Sequence, residues 1–173
     1  MIVSAIAAMD ENNLIGIGLK MPWHMPTDFK FFKATTLNHP IIFGRKSFEA
    51  IGSRPLPNRQ HIIVSTNPEL NYDYDNVFTV TSIEDAIALA MTMEGNDEVF
   101  ICGGGIIYRQ VIERRLVDRL YITKIHTEIP LKKKDDPIYF PKINDDWDMM
   151  SIRSVDADDK NEYNMTFLTF ERN

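Results

Sequence analysis

Hydrophobic residues along this chain form short unbroken runs, and segments with helical or polar patterns separate these runs. The runs have few polar positions, which is typical of strands buried on both faces of a parallel sheet. They predict strands at Val3–Met9, Ile41–Phe43, His61–Val64, Val77–Val80, Val99–Cys102 and Leu120–Ile125. The segments between them predict helices at Pro26–Thr36, Arg45–Ile51, Ile83–Glu94 and Ile106–Arg114.

The end of the chain has a different pattern. Two alternating segments, Met149–Val155 and Tyr163–Phe170, flank the polar run Asp156–Asn161 and predict an antiparallel hairpin. Strands that alternate with helices indicate an α/β fold, a three-layer sandwich with a mainly parallel sheet, and the hairpin adds an antiparallel edge. No repeat or linker divides the chain, so we expect one domain over residues 1–173, with Leu131–Asp136 as a charged surface loop.

Composition limits the possible functions. The single cysteine, Cys102, rules out an internal disulfide and favours a reducing compartment, the cytoplasm. Met1–Met9 lacks the basic start of a signal peptide, no run is long enough to span a membrane, and the four histidines lack metal-ligand spacing. A net charge of −6 argues against nucleic acid as a partner.

Basic residues are nevertheless concentrated in one region. Between residues 28 and 61 they outnumber the acidic residues, and this excess suits a small anionic ligand, although an uneven solvated surface is the alternative. These residues are Lys30, Lys33, Arg45, Lys46, Arg54 and Arg59.

One carboxylate has unusual neighbours. Pro26 suits the first position of a helix, which places Asp28 in the first turn, where the helix dipole favours an acid. Phe31 and Phe32 follow one turn later on the same side. We therefore expect Asp28 to be shielded from water, with a raised pKa. The alternative is an ordinary capping residue with a solvated carboxylate.

Three junctions follow predicted strands, where ligands of open α/β sheets collect. Gly103–Gly105 lets backbone N–H groups approach a phosphate or a flat ring, although the spacing is not that of the common dinucleotide motif. Gly44–Ser47 places two basic residues and a hydroxyl at a helix start, which favours a bound phosphate. Ser65 and Thr66 offer further hydroxyls, so the pattern suggests a dinucleotide with an additional phosphate, NADP rather than NAD.

Two remaining candidate residues, Arg59 and Cys102, limit the type of reaction that the site can support. Arg59 follows a proline-rich turn and suits a substrate carboxylate, with a solvated turn residue as the alternative. Cys102 lies in a strand and is a core residue rather than a nucleophile. A buried acid, an anionic cofactor site and no nucleophile together fit hydride transfer, in which the cofactor carries the chemistry.

Nearly the whole chain resembles the bacterial-type dihydrofolate reductases. The motifs that carry the resemblance are Ile15-Gly16, Met21–Asp28, Gly44–Ser47, Arg54–Arg59, Ile101–Gly105 with Tyr108, Tyr121–Thr123 and Tyr139–Pro141. The family implies an eight-stranded, mainly parallel sheet with four helices, and an adenosine-binding subdomain at about residues 39–95. It also implies NADPH-dependent reduction of 7,8-dihydrofolate to tetrahydrofolate, by hydride transfer from nicotinamide C4 to pterin C6. Antifolate inhibitors are implied ligands, and we expect a monomer.

The resemblance also implies roles for individual residues. Asp28 matches the acid that binds the pterin and promotes protonation of N5, with Trp23 and Met21 as further catalytic candidates. Arg59 matches the residue that holds the glutamate carboxylate, and residues 16–21 match a mobile lid. The other implied substrate contacts are Ile6, Phe32, Ile51, Arg54, Leu56 and Thr123. The implied cofactor contacts are Ala8, Leu14, Ile15, Gly16, Lys20, Gly44, Arg45, Lys46, Ser47, Ser65, Thr66, Cys102, Gly103, Gly104, Gly105, Ile106, Ile107 and Tyr108.

Some positions depart from the family pattern. Residues 130–138 form a longer loop than in compact members of the family. In some of those members this loop supports the lid, and we do not assume that support for this chain.

Two other functions are alternatives to the reductase. A pyrimidine reductase of riboflavin synthesis is disfavoured by Met21–Asp28, and a nucleotide-binding module without turnover is disfavoured by the full set of polar site residues.

Overall fold

An eight-stranded sheet forms the middle layer of the computed structural model, which describes residues 1–173. Its spatial order is β5-β4-β3-β6-β1-β7-β10-β9, and β10 alone runs in the opposite direction to the other seven strands. The strands of this sheet are β1 (Ile2–Met9), β3 (Ile41–Gly44), β4 (His61–Val64), β5 (Val77–Val80), β6 (Glu98–Ile101), β7 (Arg119–Ile125), β9 (Trp147–Val155) and β10 (Met165–Arg172). Two further strands, β2 (Leu14–Ile17) and β8 (Pro137–Tyr139), pair separately.

Four helices cover the two faces of the large sheet. They are α1 (Pro26–Thr36), α2 (Arg45–Ala50), α3 (Ile83–Ala90) and α4 (Gly105–Glu113). Phe31 and Phe48 bring α1 and α2 into an apolar cluster with Ile6, whereas Ala86 and Val111 bring α3 and α4 into the largest cluster. The three-layer α/β sandwich predicted from the sequence is therefore confirmed.

The predicted element boundaries are accurate to within two residues except at the end of α3. This helix ends at Ala90 rather than at Glu94. The Thr92 hydroxyl donates to the Leu89 carbonyl at 2.7 Å, and the Met93 N–H donates to the Ala90 carbonyl. These bonds close a tight turn in place of a further helical turn, so the prediction of a helix to Glu94 is wrong.

The small sheet is the element that the sequence did not indicate. Residues Leu14 and Gly16 of β2 lie opposite Tyr139 and Ile138 of β8. Just beyond the pair, the Gly18 N–H donates to the Asp136 carbonyl at 2.8 Å. The segment expected to act as a lid is thus hydrogen-bonded to the long loop. The loop therefore braces this segment, although the family resemblance alone did not predict that contact.

Candidate active site

The candidate site lies at the carboxyl end of the sheet, where the strand order changes direction. Strand β6 lies between β1 and β3, so the chain returns to the middle of the sheet after it has built β3, β4 and β5. In open α/β sheets a crevice at such a point is the usual ligand site. Only Cys102 separates the end of β6 from Gly103–Gly105, which therefore lies in this crevice.

Asp28 is the buried acid of the site. Pro26 occupies the start of α1, and the Asp28 side chain in the first turn is only 7% exposed. Burial raises its pKa from 3.8 to about 6, and a hydrogen bond with Thr123 lowers the pKa by a smaller amount. Thr123 lies in β7, opposite Ala8 of β1. The alternative of a solvated capping residue is therefore wrong.

The start of α1 is held by residues near the other end of the chain. The Thr27 N–H donates to Asn161 Oδ1 at 3.1 Å, and Asn161 Nδ2 donates to Thr27 Oγ1 at 2.9 Å. The His24 N–H donates to Glu162 Oε1 at 2.7 Å. Sequence reasoning placed Asp156–Asn161 only in a hairpin turn, because no local signal reveals contacts across 134 positions. These bonds fix the backbone from which Asp28 projects.

Burial of Asp28 predicts a measurable effect on stability. A difference of one pH unit in pKa is worth about 1.4 kcal/mol, so raising it from 3.8 to about 6 costs the folded protein about 3 kcal/mol at neutral pH. The folded state binds more protons between about pH 4 and 6, so this cost grows as the pH rises through that window. We expect Asp28→Asn to raise the free energy of unfolding at pH 7 by up to about 3 kcal/mol and by less at pH 4. Urea denaturation at the two pH values measures this difference.

Asp10 provides the matched control for this measurement. It is also buried, but its carboxylate accepts the N–H groups of Asn12, Leu14 and Ile129 at 2.8, 2.9 and 3.0 Å. Asp10→Asn is expected to lower stability, because a carboxylate that accepts several backbone N–H groups is replaced by an amide with fewer acceptors. Equal destabilisation by both variants would contradict the cost assigned to Asp28.

Apolar and aromatic groups surround the acid. Ile6, Phe32, Leu56 and Cys102 belong to one apolar cluster, as expected for the wall of a flat pocket. The Tyr108 hydroxyl donates to the Ile6 carbonyl at 2.5 Å, which brings α4 into contact with β1 beside this wall. The pKa of Tyr108 is raised well above its ordinary value, mainly by burial, and Cys102 and Asp28 add to the effect.

The two other predicted catalytic residues differ in exposure. Trp23 is buried in the cluster of Met25, Ile125 and Phe167, and its indole Nε1 has no hydrogen-bond partner in the protein. A buried N–H without a partner is costly, so it is available to a ligand or a water molecule. Met21 is 44% exposed.

Arg59 is fixed by the end of α1. Its Nε donates to Thr36 Oγ1 at 2.9 Å, its Nη2 donates to the Lys33 carbonyl at 2.6 Å, and its Nη1 donates to the Pro57 carbonyl. The side chain is buried, so the alternative of a solvated turn residue is wrong. A guanidinium has five N–H donors, so one on each Nη remains for a carboxylate in the bidentate geometry.

The glycine turn and the start of α2 form one cradle. The Gly44 N–H donates to the Gly103 carbonyl at 2.7 Å, so the N-terminal ends of α2 and α4 lie side by side. A Cβ atom on Gly104 would lie 2.7 Å from Ser47 Oγ, and one on Gly44 would lie 3.1 Å from Ile107 Cγ1. Neither helix has a side-chain cap. Free N–H groups and close backbone approach fit a diphosphate at this position.

The third predicted junction lies next to this cradle. Gly44 of β3 pairs with Val64 of β4, so Ser65 follows the neighbouring strand end beside Arg45. Arg45 Nη1 bonds to Glu49 Oε1 at 2.7 Å, an ion pair that the sequence reasoning did not anticipate. The side chains of Lys46 and Thr66 are exposed.

The predicted residues thus form two neighbouring groups, one around Asp28 and one around the glycine turn, which Tyr108 connects. Gly16 of β2 reaches the glycine turn only through Ile138, its partner in β8. Ile138 packs so closely on Gly105 that a Cβ atom on that glycine would lie 2.6 Å from Ile138 Cγ2. The side chains of five other candidates are exposed and form no hydrogen bond with either group: Lys20, Met21, Ile51, Arg54 and Ile106. No cluster of three metal-ligating side chains occurs in the structure, and no helix is long and apolar enough to cross a membrane.

Known proteins resemble this chain over its whole length. A family model described as dihydrofolate reductase matches residues 2–172. The chain is 38% identical over 171 residues to the dihydrofolate reductase of Bacillus subtilis, covering 98% of this chain and 94% of that protein. It is 39% identical over 173 residues to dihydrofolate reductase type 3 of Salmonella typhimurium, covering 99% of each. The solved dihydrofolate reductase of Enterococcus faecalis, complexed with NADP(H) and RAB-propyl, is 35% identical with a TM-score of 0.86, covering 99% of this chain and 96% of that one.

Proposed function

Since the chain belongs to the dihydrofolate reductase family, we propose that it reduces 7,8-dihydrofolate to 5,6,7,8-tetrahydrofolate with NADPH, and that Asp28 assists protonation of pterin N5. The observation that carries the role of Asp28 is its burial, which raises the pKa of the carboxyl to about 6. A group with this pKa holds a proton in an appreciable fraction of molecules near neutral pH, as an acid catalyst requires. The cluster of Ile6, Phe32 and Leu56 supports a flat heterocycle beside it.

The chain's own residues orient the substrate and exclude water. Asp28, restrained by Thr123, accepts hydrogen bonds from the amino group and ring N–H of the pterin. The free donors of Arg59 hold the glutamate carboxylate at the other end of the substrate. Two fixed points, one at each end, restrict the pterin to one orientation, and positioning of this kind is worth roughly 7–11 kcal/mol in favourable cases.

The cradle of Gly44, Ser47 and Gly103–Gly105 fits the diphosphate of NADPH, which supplies the hydride when it is bound. Arg45 and Ser65 lie where they can bind the additional phosphate that distinguishes NADPH from NADH. The paired strands β2 and β8 cover the nicotinamide side, because Ile138 packs at the start of α4. A covering segment keeps water away from the reacting atoms.

The test of the proposed activity is a mixture of the protein with NADPH and dihydrofolate, followed by absorbance near 340 nm. We expect a steady decline that requires both compounds and that is largely lost in Asp28→Asn prepared in parallel, which controls for contaminating enzymes. A decline with a pyrimidine intermediate of riboflavin synthesis but not with dihydrofolate would favour the other reductase. NADPH binding without any decline would favour a module without turnover.

Expectations about the oligomeric state, the compartment and the internal organisation of the domain go with this proposal. The cytoplasm remains our prediction from the single cysteine, and the absence of a nucleic-acid partner remains our prediction from the net charge of −6. A monomer also remains a prediction, because no feature of the sequence demands a dimer. The adenosine-binding subdomain at about residues 39–95 also remains a prediction. It would contain α2, β4, β5 and α3, with Arg45 and Ser65 at its ligand-binding edge.

A further inference from the structure

His61 is a buried polar residue that the proposed mechanism does not use. It is fully shielded from solvent at the start of β4, with its ring beside Phe43 and Phe48 at centroid distances of 6.3 and 5.9 Å. Both ring nitrogens are hydrogen-bonded. Nε2 accepts the Leu56 N–H at 2.9 Å, and Nδ1 donates to the Arg59 carbonyl at 3.1 Å.

These two bonds fix the imidazole in one chemical state. An N–H donor on Nδ1 and a lone pair on Nε2 require the neutral ring. Burial is the main cause that lowers the pKa of His61 to about 4; the hydrogen bond to the Arg59 carbonyl raises the pKa and the Arg59 charge lowers it, both by smaller amounts. The ring therefore stays neutral over the physiological range. Asn76, the other polar side chain that reaches the same carbonyl, donates to it at 3.0 Å and carries no charge.

The two partners of His61 stand at the two ends of one turn. Leu56 packs in the apolar wall near Ile6, and Arg59 is the proposed anchor for the glutamate carboxylate. Between them Asn58 has a φ of 59°, in the left-handed region, which asparagine tolerates better than most non-glycine residues. The His61 ring therefore connects the apolar wall to the backbone of the anchor, and Asn76 adds a second bond at the anchor end only.

We propose that His61 is a positioning residue for the tail of the substrate: by bridging Leu56 and Arg59 it holds the turn in the shape that receives the benzoyl-glutamate portion. This inference rests on the proposed role of Arg59. His61 contacts neither pterin nor cofactor in this account, so its loss affects affinity for the tail and leaves the chemical step unchanged.

The test compares two replacements of His61 in the full chain. His61→Phe keeps a flat ring among Phe43 and Phe48 but removes both hydrogen bonds. His61→Gln retains an amide that can accept the Leu56 N–H. Dissociation constants are measured by quenching of tryptophan fluorescence, without NADPH, for folate and for 6-methylpterin, which lacks the tail.

We expect His61→Phe to weaken folate about tenfold while the affinity for 6-methylpterin stays within about twofold, and His61→Gln to recover part of the loss. With dihydrofolate as substrate, KM is expected to rise and kcat to stay nearly constant. Equal losses for both ligands, or no recovery in His61→Gln, would overturn the proposal. Ser82→Ala removes the N-cap bond of α3 and touches none of the proposed folate contacts, so it controls for a general loss of stability in these measurements without NADPH.

A parallel measurement separates this inference from the proposed function. Arg59→Lys keeps the positive charge but loses the bidentate geometry, and it is expected to weaken folate without affecting 6-methylpterin. If Arg59→Lys binds folate normally, the role of Arg59 fails and the His61 proposal fails with it. If Arg59→Lys discriminates between the ligands and His61→Phe does not, only the His61 proposal is overturned.

Discussion

Asp28→Asn is expected to lose a factor of about 10²–10⁴ in turnover at pH 7, the usual contribution of a positioned acid. The asparagine amide keeps the size of the side chain and a hydrogen bond toward Thr123, but it has no acidic proton with which to promote protonation of N5. The affinity for NADPH should change by less than about twofold, because the glycine cradle does not include Asp28. Steady-state turnover and NADPH titration of the same preparation measure both quantities.

The pH dependence gives an independent test of the same role. The pKa of Asp28 is raised to about 6 by burial, so the carboxyl is protonated below this value and loses its proton above it. If the protonated form assists N5, kcat/KM for dihydrofolate stays level below about pH 6 and falls about tenfold per pH unit above it. The Asn variant has no such group and is expected to show a flat profile over the same range.

Two results would contradict this account of Asp28. Turnover of Asp28→Asn close to that of the unchanged protein at pH 7 would remove the residue from its catalytic role. Wild-type kcat/KM that rises with pH between about 6 and 8 would mean that the charged carboxylate is the active form. Reduced turnover together with lost NADPH binding would point to a damaged fold, which the urea measurements at pH 7 would reveal.

The sequence was most informative where local rules and tertiary packing agree. Helix α1 begins at Pro26 and ends at Thr36, as predicted, because proline suits the first helical position. Helix α3 begins at the predicted Ile83, because Ser82 before it is a favoured N-cap residue and its Oγ accepts the Asp85 N–H at 3.1 Å. In both cases the signal lies within a few residues of the feature.

What the sequence did not reveal depends on contacts between distant segments. Strands β2 and β8 are too short to show periodicity, and their partners lie far apart along the chain. Arg59 was equally compatible with a solvated turn, because its burial arises from backbone carbonyls and a hydroxyl at the end of α1. The ion pair of Arg45 with Glu49 spans only four residues, but the sequence does not show whether a phosphate or a carboxylate is the partner.

The ion pair of Arg45 bears directly on cofactor selectivity. A charge-assisted hydrogen bond to phosphate contributes about 1.5–3 kcal/mol, so Arg45→Ala is expected to raise the Kd of NADPH about 10- to 150-fold. NADH lacks the additional phosphate, and its Kd should change by less than about twofold. Titration of both cofactors, followed by protein fluorescence at an ionic strength of about 0.1 M, measures the ratio.

Glu49→Gln is the matched variant, and it is expected to change the affinity for NADPH in the opposite direction. In the free protein the Arg45 guanidinium is bonded to the Glu49 carboxylate at 2.7 Å, and a phosphate must compete with this acid for the same donors. The replacement removes a negative charge beside the site, so NADPH is expected to bind several-fold more tightly while NADH changes little. Because Arg45 is 41% exposed, salt screens the effect, and both shifts should shrink at high ionic strength. Equal weakening of NADPH and NADH by Arg45→Ala would place Arg45 away from the additional phosphate, whatever the behaviour of Glu49→Gln.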